Sequence, residues 1–328
     1  MRRARLVLRS VAPFLVALPV LWLAQGASPP DVSIVLVAIA VNVILAVSLN
    51  VVNGFTGQFS IGHAAFMAVG AYTAALVTTG MQDLQLLGLP EGSSDALVFF
   101  LALLAGMAAA SVAGLLVGIP SLRLRGDYLA IVTLGFGEII RVVIENTKAL
   151  GQATGISGLP PYTNVVWAGM GVVATVVMAR RLLLSTQGRA LLAIREDEVA
   201  AEAMGVDTVG WKVRAFVISA AFAGLAGGLL VHKIQLVTPR MFTFVKSMEV
   251  VVMVVLGGMG SITGSIVAAT LLTVVLEWLR GVDQYRMVIF SLLLIVLMLT
   301  RPSGLFGTRE IWDALPRWLR RRVDGGTP

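Results

Sequence analysis

Four polar residues lie close together in an otherwise apolar stretch of this 328-residue chain: Asn53, Gln58, Ser60 and His63. Glycines interrupt the stretch and permit a turn or a break in a helix. A polar side chain at membrane depth costs free energy unless it faces protein or water. These residues are therefore candidates for a solute pathway along a broken helix. Local hydrogen bonding in a tightly packed helix is the open alternative, and for His63 it is preferred over a proton relay.

A second polar set is charged and has helical spacing. Glu138, Arg141 and Glu145 fall at i, i+3 and i+7, on one face of a helix. A lone charge near the bilayer centre costs about 2.5–3.5 kcal/mol on insertion scales, and a Glu138–Arg141 pair reduces that cost. We favour an ion pair within the helix near the outer interface over a cavity-facing charge that meets a zwitterionic solute. Glu138 and Arg141 nevertheless join the pathway candidates.

Several kinds of chemistry are excluded. The chain has no cysteine and only two histidines, so disulfides, thiolate catalysis and cysteine-ligated zinc are ruled out and a histidine-rich metal site is not expected. The motifs G-x-x-x-x-G-K-[ST], H-E-x-x-H and G-x-S-x-G are absent. We therefore predict that the chain is not an enzyme, has no catalytic residue, and binds no metal or cofactor itself.

Residues 188–207 have the pattern of a short amphipathic helix. Acidic residues at 196–198 suit the start of a helix because of the helix dipole, and Gly205 is expected to end it. Alanines and Met204 give a small apolar surface. A groove on a partner protein or a layer of lipid headgroups could receive that surface, and the acidic start argues mildly against lipid.

A second glycine-rich stretch contains Gly257, Gly258, Gly260 and Gly264. It predicts either another break or very close helix packing. Breaks at corresponding positions of two halves can mark the binding site of a transporter. The internal similarity of this chain is too weak to establish a repeat.

The elements that position these residues follow from composition. Hydrophobic residues make up 57% of the chain and charged residues 13%, and the mean hydropathy is +0.90. Because about 20 helical residues cross the hydrocarbon core, we predict an all-α integral membrane protein, a polytopic helical bundle of about 8–10 transmembrane helices. Segments 57–79 and 246–260 are the least regular and are either broken or re-entrant. The predicted segments are 10–25, 32–52, 57–79, 96–119, 127–145, 162–182, 213–231, 246–260, 261–279 and 285–300.

Basic residues set the orientation. With the N-terminus inside, 18 Lys and Arg lie on the inner side and 7 on or near the outer side, so both termini are predicted to be cytoplasmic. The net charge of +7 comes from residues at the ends of apolar runs, which speaks against nucleic-acid binding. Residues 1–307 form the predicted transmembrane domain, with an inner hydrophilic loop at 184–214. Residues 308–328 form a basic cytoplasmic tail, either an interfacial helix or a frayed segment held near anionic lipid.

Four ordered stretches resemble permease subunits of ABC importers for branched-chain amino acids, more closely the LivM-type than the LivH-type subunit. They are residues 54–66, 126–141, 193–205 and 255–264, and the resemblance extends from about 41 to 307. It implies the ABC importer permease type of fold, translocation of branched-chain amino acids or related small amino acids or amides by alternating access, and a multi-pass location in the bacterial cytoplasmic (inner) membrane.

The resemblance also implies partners. These are two ABC ATPase subunits that hold ATP and Mg, a second, related LivH-type permease, a periplasmic or lipid-anchored solute-binding protein near the glycine-rich loop at 151–158, and membrane lipid. The loop at 184–214 then contacts the ATPases, although its sequence is only a loose form of the E-A-A-x-x-x-G pattern. Its candidate coupling residues are Arg195, Glu196, Glu198, Ala201, Glu202, Ala203 and Gly205.

Two other functions are compatible with an apolar chain of this kind. A self-sufficient secondary transporter or channel for a small polar solute would need a coupling-ion site or a selectivity filter, and the chain offers only scattered candidates. An intramembrane enzyme would need a paired nucleophile and base. The residues alone do not identify the solute.

Overall fold

The computed structural model describes residues 29–81, 91–122, 124, 126–279, 304–307 and 310, with single positions at 18, 19, 21, 25, 26, 288, 291, 292, 295 and 300. Ten α-helices lie within the described ranges, and two-residue strands pair antiparallel. The helices are α1 Pro30–Asn53, α2 His63–Met81, α3 Glu91–Ser121, α4 Asp127–Asn146, α5 Val165–Leu184, α6 Thr186–Glu196, α7 Glu198–Ala203, α8 Thr208–Ile234, α9 Phe244–Gly257 and α10 Ile262–Trp278; the strands are β1 Ile156–Ser157 and β2 Leu236–Val237.

The predicted all-α membrane bundle is confirmed. Five helices among the described residues are long and apolar enough to cross a membrane, and they correspond to α1, α2, α3, α5 and α8. Of the other predicted segments, α4 forms a 20-residue helix that carries the charged set. The segments at 10–25 and 285–300 lie almost wholly outside the described residues. The tail at 308–328 also lies outside them, except for Glu310.

Both glycine-rich segments contain a break. Residues 57–62 form no helix, so the predicted segment 57–79 begins with extended chain and becomes α2 only at His63. The segment at 246–260 is helical only to Gly257, and α9 has 14 residues. Such a helix rises about 21 Å, less than the thickness of the hydrocarbon core. A helix of 17 residues, α10, follows the second break.

Glycines allow the central helices to touch. A β-carbon at Gly70 of α2 would lie 2.1 Å from the Cα of Gly224 in α8, and one at Gly106 of α3 would lie 2.7 Å from the Gly70 carbonyl oxygen. Helix backbones approach this closely only where no side chain intervenes. The three helices therefore pack around a shared glycine crossing.

The connections define two ends of the bundle. Helices α5 and α8 are joined by residues 185–207, which contain α6 and α7. At the opposite end, β1 pairs with β2, Ile156 opposite Val237 and Ser157 opposite Leu236. These are called the coupling end and the strand end below. The first break lies at the coupling end, because it follows α1 and contacts α6.

Candidate coupling surface and translocation pathway

The polar residues of the first break bind each other. The Asn53 side chain accepts a hydrogen bond from the Ser60 backbone N–H at 3.2 Å and donates one to the Ser60 carbonyl at 3.4 Å. Both residues are buried. This pair of bonds supplies the partners that a sheet or helix would otherwise give to the Ser60 backbone, so it stabilises the extended chain.

His63 is also held internally. Its Nε2 lies 3.0 Å from the Ser48 hydroxyl, and the next backbone N–H, that of Ala64, donates to the Ser247 hydroxyl at 3.1 Å. His63 is 2% exposed. Gln58 differs, because its buried Oε1 has no hydrogen-bond partner among the described residues. Of the four candidates at the first break, Gln58 is therefore the one whose fully buried side-chain acceptor lacks a partner within that part of the chain.

The second break is tied to α1 and to the C-terminal segment. Asn50 accepts from the Gly260 N–H at 2.9 Å and donates to the Ser261 carbonyl at 3.0 Å. Leu305 N–H donates to the Leu256 carbonyl at 2.7 Å. The carboxylate of Glu310 accepts from the first N–H groups of α10, Ile262 at 2.6 Å and Thr263 at 3.0 Å, where a helix favours an anion. Both ends of this break thus have backbone partners.

Arg195 joins the coupling loop to both breaks. Its Nη1 donates to the Gly54 carbonyl at 3.1 Å. A β-carbon at Gly260 would lie 2.6 Å from Nη1, and one at Gly57 would lie 3.1 Å from the Arg195 Cγ. Glycine is required at positions 57 and 260 also because their φ angles are +70° and +94°. The sequence pattern named Arg195 and both glycine stretches but did not show that they meet.

The coupling loop contains two helices where the sequence predicted one. The chain bends at Asp197, whose carboxylate accepts from the N–H groups of Val199 and Ala200 at 2.9 and 3.0 Å and caps α7. Gly205 ends α7 as predicted, with φ +84°. Its N–H donates to the Glu202 carbonyl and Val206 N–H donates to the Ala201 carbonyl, the paired bonds of a Schellman motif.

An apolar surface on α7 faces outward. Val199 is 62% exposed and Met204 84% exposed, and Ala203, like Glu196 and Glu202, is exposed as well. Ala201 instead packs inward at 5% exposure, so it supports the surface without forming part of it.

A buried ion pair fixes α7 to α8. Lys212 Nζ lies 2.5 Å from Glu198 Oε2, and the lysine side chain is 2% exposed. Removing one member of a buried pair leaves an unpaired charge, so the two helices are expected to move together. Lys212 is one of the 18 basic residues that the sequence assigns to the inner side. Its spacing from α7 gave no signal of this contact.

The charged set on α4 forms the Glu138–Arg141 ion pair that the sequence favoured, and a second pair between Arg141 and Glu145. Arg141 binds Glu138 through Nε at 2.7 Å and Glu145 through Nη1 at 2.8 Å. The three side chains stay 27% to 41% exposed. By helical rise, Glu138 lies about 17 Å from the start of α4, near the middle of that 20-residue helix. Beside them runs an exposed apolar stripe that includes Tyr128, Ile131, Ile139 and Val142.

Another charged pair lies on α9. Lys246 Nζ binds Glu249 Oε2 and the Asn42 side-chain oxygen, each at 3.1 Å. Asn42 in turn donates to the Thr273 hydroxyl of α10 at 2.9 Å. Sequence analysis counted Lys246 as an outer-side charge and did not single out this set. The i, i+3 spacing of Lys246 and Glu249 was the available signal.

Comparison with known proteins agrees with this architecture. A family profile described as the permease component of branched-chain amino acid transport systems matches residues 32–300. No solved structure matches the chain.

Curated relatives carry similar descriptions. The chain is 40% identical over 299 residues to the high-affinity branched-chain amino acid transport system permease protein LivM of Escherichia coli, covering 80% of this chain and 67% of the relative. It is 39% identical over the same length and with the same coverage to LivM of Salmonella typhimurium. It is also 24% identical to the LivH permease of Escherichia coli, over 82% of this chain and 92% of the relative.

Proposed function

Because this chain belongs to the family of permease components of branched-chain amino acid transport systems, we propose that it is the transmembrane subunit of an ATP-driven ABC importer. It moves leucine, isoleucine, valine or related small amino acids or amides across the bacterial cytoplasmic membrane. The observation that carries the proposal is the link from an exposed helix of the coupling loop, through Arg195, to both helix breaks.

The coupling end faces the cytoplasm in this proposal, and both termini lie there. The exposed apolar surface of α7 and its acidic neighbours suit a groove on an ATPase subunit better than anionic headgroups. The Glu198–Lys212 pair carries motion of α7 to α8. Arg195 transmits motion of α6 to the two helix breaks. ATP-driven closure of two ATPase subunits then rocks the breaks and alternates access to the pathway.

The pathway lies beside α4. A membrane-embedded helix with three part-exposed charges cannot face lipid with that side, because charge in hydrocarbon is costly. A second, related permease facing α4 would enclose the charged set of α4 in an aqueous pathway. The strand end, including the loop at 151–158, receives the solute-binding protein outside.

A self-sufficient secondary transporter or channel is not favoured. The relatives are described as components of transport systems, and the polar residues of the first break bind each other. They leave few groups for a coupling-ion site within the described chain.

The test is uptake of labelled leucine into proteoliposomes. The chain is reconstituted with two ATPase subunits, a second permease and a solute-binding protein. Uptake is expected only with ATP and all partners present, and competition by isoleucine, valine or asparagine ranks the solutes. Uptake by the chain alone, driven by an ion gradient, would overturn the proposal.

A matched pair of cysteine variants tests the orientation. The chain has no native cysteine, so Met204→Cys and Ala153→Cys, both at exposed positions, each give one labelling site. A membrane-impermeant maleimide added outside intact cells should label position 153 and leave position 204 unlabelled. The reverse pattern would contradict a cytoplasmic coupling end.

A further inference from the structure

The Lys246–Glu249 pair lies deep in the bundle although its helix has only just begun. Lys246 contacts Asn42, which is 12 residues from the strand end of α1, about 18 Å by helical rise. Ser247 contacts Ala64, which is 17 residues from the strand end of α2, about 26 Å by the same measure. The start of α9 therefore lies about 18–26 Å from the strand end by these measures, within the depth of a hydrocarbon core about 30 Å thick.

Irregular chain leads down to this pair from the strand end. After α8 ends at Ile234, residues 235–243 form β2 and one 3-10 turn, Pro239–Phe242, before α9 starts. The Phe242 ring lies 6.5 Å from that of Tyr72, nine residues into α2. Non-helical backbone at membrane depth occurs only where it is buried in protein or lines a water-filled cavity.

The pair borders open space. The Lys246 and Glu249 side chains are 22% and 24% exposed, and the neighbouring Phe244 and Val245 are 43% and 50% exposed. The buried Tyr72 hydroxyl, next to Phe242, has no hydrogen-bond partner among the described residues. Part-exposed charges at this depth cannot face lipid, so they face water, a solute or another subunit.

The chemistry of the pair complements an amino acid. An α-amino acid zwitterion carries a carboxylate and an ammonium group on the same carbon atom. Its two charges can therefore pair with Lys246 and Glu249 in place of the contact between those two side chains, and neither protein charge is left unpaired. The exposed Phe244 and Val245 supply apolar surface for an aliphatic side chain. A solute lacking either charge would leave one protein charge without a partner, which is costly at low dielectric.

We propose that Lys246 and Glu249 form the subsite where the permease receives the amino-acid zwitterion, with Lys246 binding the carboxylate and Glu249 the ammonium group. The proposal rests on the proposed import function and adds to it a solute-contacting site inside the membrane. Asn42 and Thr273 are positioning residues that hold Lys246 against α1 and α10.

Protection of a single cysteine tests the subsite directly. Val245→Cys is made in the otherwise cysteine-free chain, in the assembled complex in proteoliposomes, and its reaction with a thiosulfonate reagent is timed. Leucine at about four times its dissociation constant should slow the reaction ~5-fold. The reaction rate is expected to fall by a factor of one plus the ratio of the leucine concentration to its dissociation constant. Leu271→Cys on the exposed face of α10 should show no protection.

The variants separate solute binding from a structural role. Lys246→Met or Glu249→Gln should abolish protection by leucine, whereas Lys246→Arg should keep it. Arg240→Met removes an exposed cation from the same connection and should leave protection intact. When Lys246 and Glu249 are both present, 4-methylpentanoate and 3-methylbutylamine should not protect the cysteine at position 245, because each lacks one charge of leucine.

The possible results distinguish an error in the subsite proposal from an error in the proposed import function. Normal ATP-driven uptake without protection by leucine, or equal protection in the Lys246→Met/Glu249→Gln double variant, would overturn the subsite and leave the import function standing. Absence of ATP-driven uptake by the complete wild-type complex would overturn the import function itself. If a variant at Lys246 or Glu249 does not assemble, the two singly charged leucine analogues still decide in the Val245→Cys protein, where both charges are intact.

Discussion

The polar residues of the first break and the charged residues of α4 both suggested a pathway, but the structure gives them different surroundings. Asn53, Ser60 and His63 are at most 3% exposed and are hydrogen-bonded within the chain. Glu138 and Arg141 pair with each other yet remain 41% and 27% exposed.

The difference separates two uses of polarity in a membrane. A buried side chain that satisfies the backbone at a break stabilises that break and has little capacity left for a solute. A part-exposed charge at membrane depth needs water, solute or a facing subunit. The predictions below therefore assign the larger effect on transport to α4, a smaller one to the link between coupling loop and breaks, and the smallest to Asn53.

The strongest expected effect comes from Arg141→Leu. The change leaves the carboxylates of Glu138 and Glu145 without their shared cation at a surface proposed to line the pathway. ATP-driven leucine uptake per folded complex should fall at least ~10-fold, equivalent to about 1.4 kcal/mol in the transport barrier. Ile139→Leu, an exposed neighbour without charge, serves as the control and should transport normally. Full uptake by Arg141→Leu would remove α4 from the pathway.

The second effect tests the contact between the coupling loop and the breaks. Arg195→Met removes the hydrogen bond to the Gly54 carbonyl while preserving much of the side-chain bulk. Leucine transported per ATP hydrolysed should fall ~5-fold, about 1 kcal/mol, while ATP hydrolysis continues. Arg195→Lys keeps a donor and should recover part of the loss.

Arg189→Met is the matched control for Arg195→Met. It removes an exposed cation from the same helix, α6, and no hydrogen bond or ion pair joins that cation to either break among the described residues. It should keep the wild-type ratio of transport to hydrolysis. An unchanged ratio in Arg195→Met as well would show that motion reaches the breaks by another route.

Sequence reasoning succeeded where the information is local. The spacing of Glu138 and Arg141 predicted their pairing, and Gly205 predicted the end of α7 because a positive φ there needs no distant partner. Apolar runs predicted the membrane bundle. The break before α2 followed from glycine and polar composition, although its exact extent did not.

Long-range contacts were not predictable in the same way. Arg195 and Gly54 are 141 positions apart, and no periodicity within one segment reports a meeting that depends on how helices cross. The burial of Lys212 and Ala201 has the same origin, because α7 folds back against α8 only after the bend at Asp197. One amino-acid sequence gives composition and spacing. Which face of a helix is buried depends on the helices that pack against it.

The smallest effect on transport, and a large one on stability, is expected for Asn53→Leu. The variant leaves the buried Ser60 N–H and carbonyl without their side-chain partner, which costs about 1–3 kcal/mol in unfolding free energy for an unsatisfied buried group. Thermal unfolding of the purified protein should shift downward, while uptake per folded complex stays within ~2-fold, about 0.4 kcal/mol. Asn146→Ala is the control, because that exposed side chain bonds only the Val142 carbonyl of its own helix. A large loss of uptake at unchanged stability would mean that Asn53 contacts solute, and the distinction between the two polar regions would fail at its clearest position.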